Sequence, residues 1–224
     1  MLKALMFGVI ALSAVPAAAQ HNSLPPLKEE TVVEAPTLKA LKLVQTFMDE
    51  VKSLKAHFVQ MAPGGNRSEG TLYMARPGKV RFDYDGDIPF LVVADGKTVN
   101  FIDYEIGQVT KWPVKDTPLR ALLGDSTDLA SINAHIEYEP SGIEGLVALT
   151  AQDPDKPEIG RITVYFEEAD VPGGLKLLSW GVVDAQGQLT TVELSKQEAN
   201  LPIADKRWSF DDPRGVNKRR RNRR

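Results

Sequence analysis

Two hydrophobic periods succeed one another along the chain. In TLKALKLVQTFMDEVKSLK, Leu38, Leu41, Val44, Phe47, Met48, Val51 and Leu54 recur at spacings of three and four, with lysines and acids between them. That spacing predicts an amphipathic helix over residues 37–55, capped by Thr37 behind Pro36. The period then becomes two. AHFVQMA, EGTLYMA, KVRFDYD, FLVVADG, TVNFIDY and QVTKWPV alternate apolar and polar positions, separated by Gly-Gly-Asn, Pro-Gly and Asp-Gly-Lys turns. DTPLRALLGDSTDLASIN interrupts the series. There Thr117 is the expected cap, Pro118 the first helical residue, Leu119, Leu122 and Leu123 an apolar stripe, and Gly124 the stop, with a second short helix over residues 125–131. Alternation resumes in AHIEYEP, GLVALTAQ, GRITVYFEE, LKLLSWGVVDA and QLTTVELSKQEA, and RWSFDDP closes the domain. The pattern predicts a mostly β chain of about eleven antiparallel strands in up-and-down order, with few helices. Such a sheet curls to limit its edges, and the helices are what it has to cover its concave face.

The opening MLKALMFGVIALSAVPAAAQ has one early lysine, a short apolar run and Ala17-Ala18-Ala19. This pattern reads as a cleavable secretory signal over residues 1–19, too short to serve as a membrane anchor. Residues 20–36 hold three prolines and no period, and read as a linker. A single folded domain is expected over residues 37–217, and a basic tail over 218–224. After the signal, no run approaches the ~20 apolar residues of a membrane span, so the mature chain is expected to be soluble. The length of 224 residues, 42% hydrophobic, suits a single core.

There is no cysteine, so an exported chain must be stabilised by its core alone, and it lacks the residue that lipoproteins acylate. The tail NKRRRNRR carries six positive charges; without them and Lys3, the formal charge of −3 becomes −10. An acidic body with a basic end fits attraction to an anionic surface, or a solvated end without a partner. A nucleic-acid partner fits poorly with export.

Enzyme motifs are missing. There is no phosphate-binding glycine loop and no Gly-x-Ser-x-Gly; Ser68 in GGNRSEG stands at the wrong spacing. His21, His57 and His135 form no pair at metal-ligand spacing, and the prolines of QDPDKPE exclude a calcium loop. No catalytic residue, metal or cofactor is expected. Asn66 fits only the three-residue glycosylation pattern. What remains is a concave apolar face, which can be a ligand cavity or an ordinary packed core.

One position breaks the alternation. Leu72 and Met74 share a face, and Arg76 continues their row beside the Pro77-Gly78 turn. Its side chain either points past the sheet rim into water or finds acceptors on the inner row.

Five stretches in order resemble the LolA-type periplasmic carriers of outer-membrane lipoproteins. They are the helix running into HFVQ, EGTLYMARPGKVRFDY, LVVADGKTVNFID, DTPLRALL and FDDPRGV, together spanning roughly residues 38–216. The resemblance implies an unclosed antiparallel barrel of eleven strands under an α-helical lid. It also implies a monomeric shuttle without enzymatic activity. Such a shuttle takes acylated lipoproteins from an inner-membrane ABC-type releasing complex and passes them to an outer-membrane acceptor lipoprotein, LolB, or to the membrane. Arg76 matches the arginine that bonds lid carbonyls and keeps the empty cavity closed. The expected lining is Leu72, Met74, Val80, Phe82, Leu91 and Val93 from the sheet, with Val44, Met48, Val51, Leu119 and Leu122 from the helices. A rival reading keeps the fold but makes the protein a periplasmic sensor or binder of lipid or lipoprotein. The chain departs from the family where Val216 leads directly into the basic tail, and in its long linker.

Overall fold

In the computed structural model, the described residues are 35–214, apart from 125–128, 130, 131 and 154. The signal segment, most of the linker, the basic tail and nearly all of the second short helix lie outside them.

The described chain runs α1 (Ala35–Glu50), β1 (Ser53–Met61), β2 (Arg67–Ala75), β3 (Lys79–Tyr84), β4 (Phe90–Asp95), β5 (Thr98–Asp103), β6 (Gln108–Pro113), α2 (Arg120–Leu123), β7 (Ala134–Tyr138), β8 (Leu146–Gln152), β9 (Arg161–Glu168), β10 (Leu175–Val183) and β11 (Leu189–Ala199). All eleven strands form one antiparallel sheet in the order β6-β5-β4-β3-β2-β1-β11-β10-β9-β8-β7. The edges β6 and β7 stay unpaired with each other, so the barrel is unclosed.

The curl follows from a distance. Phe82 on β3 and Trp180 on β10 are four strand steps apart, about 19 Å on a flat sheet. Their ring centroids lie 6.2 Å apart. The sheet therefore bends round until its two halves meet, and one continuous core joins residues of both halves to α1 and α2.

The helix expected over residues 37–55 is shorter and starts earlier. Asn200 ends it: its side chain donates to Glu50 O at 2.9 Å and accepts from the Lys52 amide at 2.8 Å, turning the chain into β1. The apolar row continued through this change because Leu54, Ala56 and Phe58 are the buried apolar positions of β1, and Leu54 happens to extend the helical spacing. At the other end Leu38 is 52% exposed and Ala40 fills the core instead. The interruption after β6 also differs. Thr117 Oγ1 donates back to Val114 O at 2.8 Å and caps no helix, while α2 is a single turn ending at Gly124.

The sheet's outer face has a small core of its own. Leu91, Val93 and Ile102 pack with Val109 and Phe210. The segment after β11 straps over this face. Arg81 donates to Arg207 O and Ser209 O at 3.1 and 2.9 Å, Arg207 pairs with Asp83, and Arg207 lies 4.4 Å from the Tyr73 ring.

Candidate functional site: the inner face and its helical cover

Alternation along β2 buries Leu72 and Met74 on the inner face. Arg76 is the next inward position, and its guanidinium meets a ring of backbone carbonyls. Nε donates to Gly124 O at 3.0 Å, Nη2 to Leu122 O at 3.1 Å, and Nη1 to Val51 O at 2.5 Å. The first two carbonyls end α2 and the third follows α1. Orphan carbonyls at a helix C-terminus carry partial negative charge, which a cation with five donors satisfies. The guanidinium also lies 5.2 Å from the Phe47 ring centroid. Burial pushes Arg76 down to about 10, still far above neutrality, so the cation persists.

The turn adds a further donor. The Gly78 amide donates to Leu123 O at 3.0 Å, so Leu122, Leu123 and Gly124 are all held from β2 and the β2–β3 turn. Gly78 has φ +74°, and a Cβ there would lie 2.6 Å from Gly96 O. Both the left-handed backbone and the close approach call for glycine. The Arg-Pro-Gly order was visible in the sequence, but the amide's reach to α2 was not.

Helix α1 has another tether. Lys39 Nζ lies 2.7 Å from Glu168 Oε1 and also donates to Tyr138 OH. The Lys39 bond, then that from Tyr138, holds the Glu168 carboxyl below its ordinary value.

Of the expected lining, Leu72, Met74, Val80 and Phe82 face the inner core, together with Val44, Met48, Val51 and Leu122; Leu119 packs against it partly buried. Leu91 and Val93 do not. Phe82 pairs with Val92 and Val80 with Ala94, which puts Val92 and Ala94 inside and turns Leu91 and Val93 to the outer core under Phe210. Residues directly opposite in a sheet share a face, so the register decides it. Sequence reading left several aromatic members of this core off the lining. Phe58 lies edge-on to Phe82 at 5.1 Å, Trp180 edge-on to Phe82, and Phe47 edge-on to Phe166 at 5.1 Å. Phe58 shows the right alternation; the approach of Trp180 depends on the curl. Tyr84, whose hydroxyl donates to Gln60 Oε1 at 3.0 Å, is pushed up to about 12 by burial.

The arrangement is an apolar, aromatic-rich face under two helices whose ends are held by polar contacts. Such contacts exchange readily for water, whereas the apolar face needs another apolar surface when uncovered. A cleft of about 410 Å³ flanks the contacts to α2, between Pro77, Lys97, Val114 and Leu123. Among the described residues no three His, Cys, Asp or Glu side chains gather as metal ligands, and no helix is long and apolar enough to cross a membrane. His57 sits in β1 near Ser195 and Glu69, and His135 beside Glu137.

The model of the family described as "Outer membrane lipoprotein carrier protein LolA" matches residues 49–211. The chain belongs to the LolA family. Its match to the LolA model takes in every strand of the sheet and the residues that hold α2. An outer-membrane lipoprotein carrier protein of Chromobacterium violaceum is 28% identical over 79% of this chain and 85% of its own. One of Methylococcus capsulatus is 28% identical over 77% and 84%. Among solved structures, a LolA superfamily protein of Nitrosomonas europaea aligns with 78% of this chain and 97% of its own, at 6% identity and a TM-score of 0.42. The LolA family is named for carriage, not catalysis.

Proposed function

We propose that this chain is a non-enzymatic periplasmic carrier that binds the acyl chains of outer-membrane lipoproteins on the inner face of the open barrel. It takes them from an inner-membrane ABC-type releasing complex and gives them to an outer-membrane acceptor lipoprotein or to the membrane itself. The observation that carries the reading is the seat of Arg76. A cation at the end of an apolar row, bonded to carbonyls at the ends of both helices, is a costly way to stabilise a core and an apt way to keep a cover closed yet releasable. The names of the similar proteins in Chromobacterium violaceum and Methylococcus capsulatus support the cargo class.

Energetics limit how the cargo is held. Burying an acyl chain gains about 0.8 kcal/mol per methylene, or roughly 11 kcal/mol for a chain of ~14 carbons. Three such chains would exceed the affinity ceiling of about 18–21 kcal/mol. A carrier that must release without its own energy source therefore buries its cargo partially. Uncovering the inner face also offsets part of the gain, because Phe47, Met48 and Leu122 leave the core with their helices. The test is transfer. Loaded with a triacylated lipoprotein, the protein should deliver it to acceptor vesicles. Retention without delivery would favour a sensor or binder of the same fold.

A further inference from the structure

The two ends of the β3–β6 half of the sheet differ in charge. The β4–β5 turn carries Lys97, and β6 runs out beside it into Lys115, with the Val114 amide donating to Lys97 O at 2.8 Å. The β3–β4 and β5–β6 turns lie at the opposite end and carry Asp85, Asp87, Asp103 and Glu105. Strands of six residues set these ends about 20 Å apart. At the basic end lies the cleft of about 410 Å³ that flanks α2. Lys97, Lys115 and Arg120 line it, and among the described residues no acid does. The Lys97 and Lys115 side chains have no hydrogen-bond or ion-pair partner among the described residues. The acids beside them in the chain are engaged elsewhere. Asp95 Oδ1 accepts from the Lys97 and Thr98 amides at 2.9 Å each, and Asp116 pairs with Lys156 at 2.7 Å.

The rim of this cleft is amphipathic. Pro113 and Val114 line it, and Trp112 precedes them on the edge strand β6, opposite Val99. Trp112 is 45% exposed, whereas Trp180 and Trp208 are 3% and 7% exposed. An exposed indole beside cations suits the boundary between water and lipid, where its apolar ring and polar edge are both satisfied and basic side chains meet phosphates. Small-molecule sites run from about 300 to 1,000 Å³, so the cleft has room for the whole head of a phospholipid and more than a bare inorganic anion fills.

We propose that this end of the sheet docks the protein on an anionic membrane surface, with the cleft taking the phosphate head of one phospholipid and Trp112 resting at the boundary. Lys97 and Lys115 pair with the phosphate. The acyl chains of that lipid stay in the bilayer, so no alkyl chain enters the protein here. The acidic end then points away from the membrane, which repels it. Gly78, Leu123 and Gly124 form the opposite wall, so a docked molecule presents the fastened end of α2 to the lipid. The proposal goes beyond the carrier reading and does not depend on it, because docking is measured with bare vesicles and no lipoprotein.

The test is sedimentation of residues 20–224 with vesicles of phosphatidylcholine and phosphatidylglycerol, against vesicles of phosphatidylcholine alone. A second form with Lys218, Arg219, Arg220, Arg221, Arg223 and Arg224 replaced by serine removes the tail's own attraction. Both forms should bind the anionic vesicles and leave the neutral ones. Each basic residue at such a surface contributes about fivefold, so Lys97→Gln with Lys115→Gln should weaken binding of the serine-tailed form about thirtyfold. Lys176→Gln with Lys196→Gln removes the same charge from β10 and β11 and should change it far less. Trp112 is the exposed indole, so tryptophan emission should shift to the blue on anionic vesicles, and Trp112→Phe should abolish the shift. Equal losses from the two lysine pairs, binding that disappears with the tail charges, or bound protein with unshifted emission would each overturn the proposal. So would free glycerol phosphate binding more tightly than the vesicles, which would assign the cleft to a soluble anion.

Discussion

Arg76→Leu separates a releasable contact from an ordinary core residue. The substitution keeps an apolar side chain beside Phe47 and removes the donors to Val51 O, Leu122 O and Gly124 O. Charge-assisted bonds contribute about 1.5–3 kcal/mol each, but burying the guanidinium costs several kcal/mol, so most of that gain cancels. What remains is the cost of three carbonyls without donors. Arg76 keeps part of its surface exposed, so the lower bound of about 1 kcal/mol per carbonyl applies. The covering helices should then open about 3 kcal/mol more easily, or about a hundredfold more often. Hydrogen exchange at the Val51, Leu123 and Gly124 amides reads this directly, since each closes a bond in the last turn of a helix. Urea unfolding should keep its slope and lose no more than about 3 kcal/mol. Arg76→Lys should fall between, because one ammonium cannot span the carbonyls of both helices. Unchanged protection at these amides would refute the reasoning, and so would a collapse of the whole fold.

Gly78→Ala should cost about 1–3 kcal/mol in urea unfolding and speed exchange in α2, because a left-handed alanine would also strike Gly96 O. Gly64→Ala shares the positive φ but meets open space, so it should cost less; equal losses would remove the clash from the account. The Glu168 carboxyl lies below its ordinary value of 4.5, so the tether to Lys39 stabilises the fold above that pH and is lost as pH falls through the lowered value. The melting-temperature gap between wild type and Glu168→Gln should close on acidification, and a gap independent of pH would contradict this assignment. Leu91→Ala should destabilise the protein by about 2–5 kcal/mol by undercutting Phe210, yet leave lipoprotein holding intact in the folded fraction. Loss of holding at undiminished stability would return Leu91 to the inner face.

The order of the strands and their up-and-down connection were legible because alternation and turn residues are local signals. Boundaries were harder where two periods overlap: Leu54 satisfies both the helical stripe and the inner row of β1, and only the Asn200 side chain shows where α1 stops. Leu91 and Val93 were misassigned for a related reason. Alternation says that they share a face, but the face depends on pairing with β3 across the turn, and Arg81 opposite Val93 puts that pair outside. Arg76 was the informative anomaly. Its place in an apolar row was readable, while its acceptors on α2 and after α1 come from segments far along the chain.

The most direct measurement is whether the purified protein, without detergent, holds a triacylated lipoprotein in solution. The carrier reading requires a soluble complex on size-exclusion chromatography that forms with the acylated lipoprotein and not with the same polypeptide lacking its acyl chains. Acylated lipoprotein that stays with vesicles or aggregates, or equal binding of the unacylated form, would contradict it.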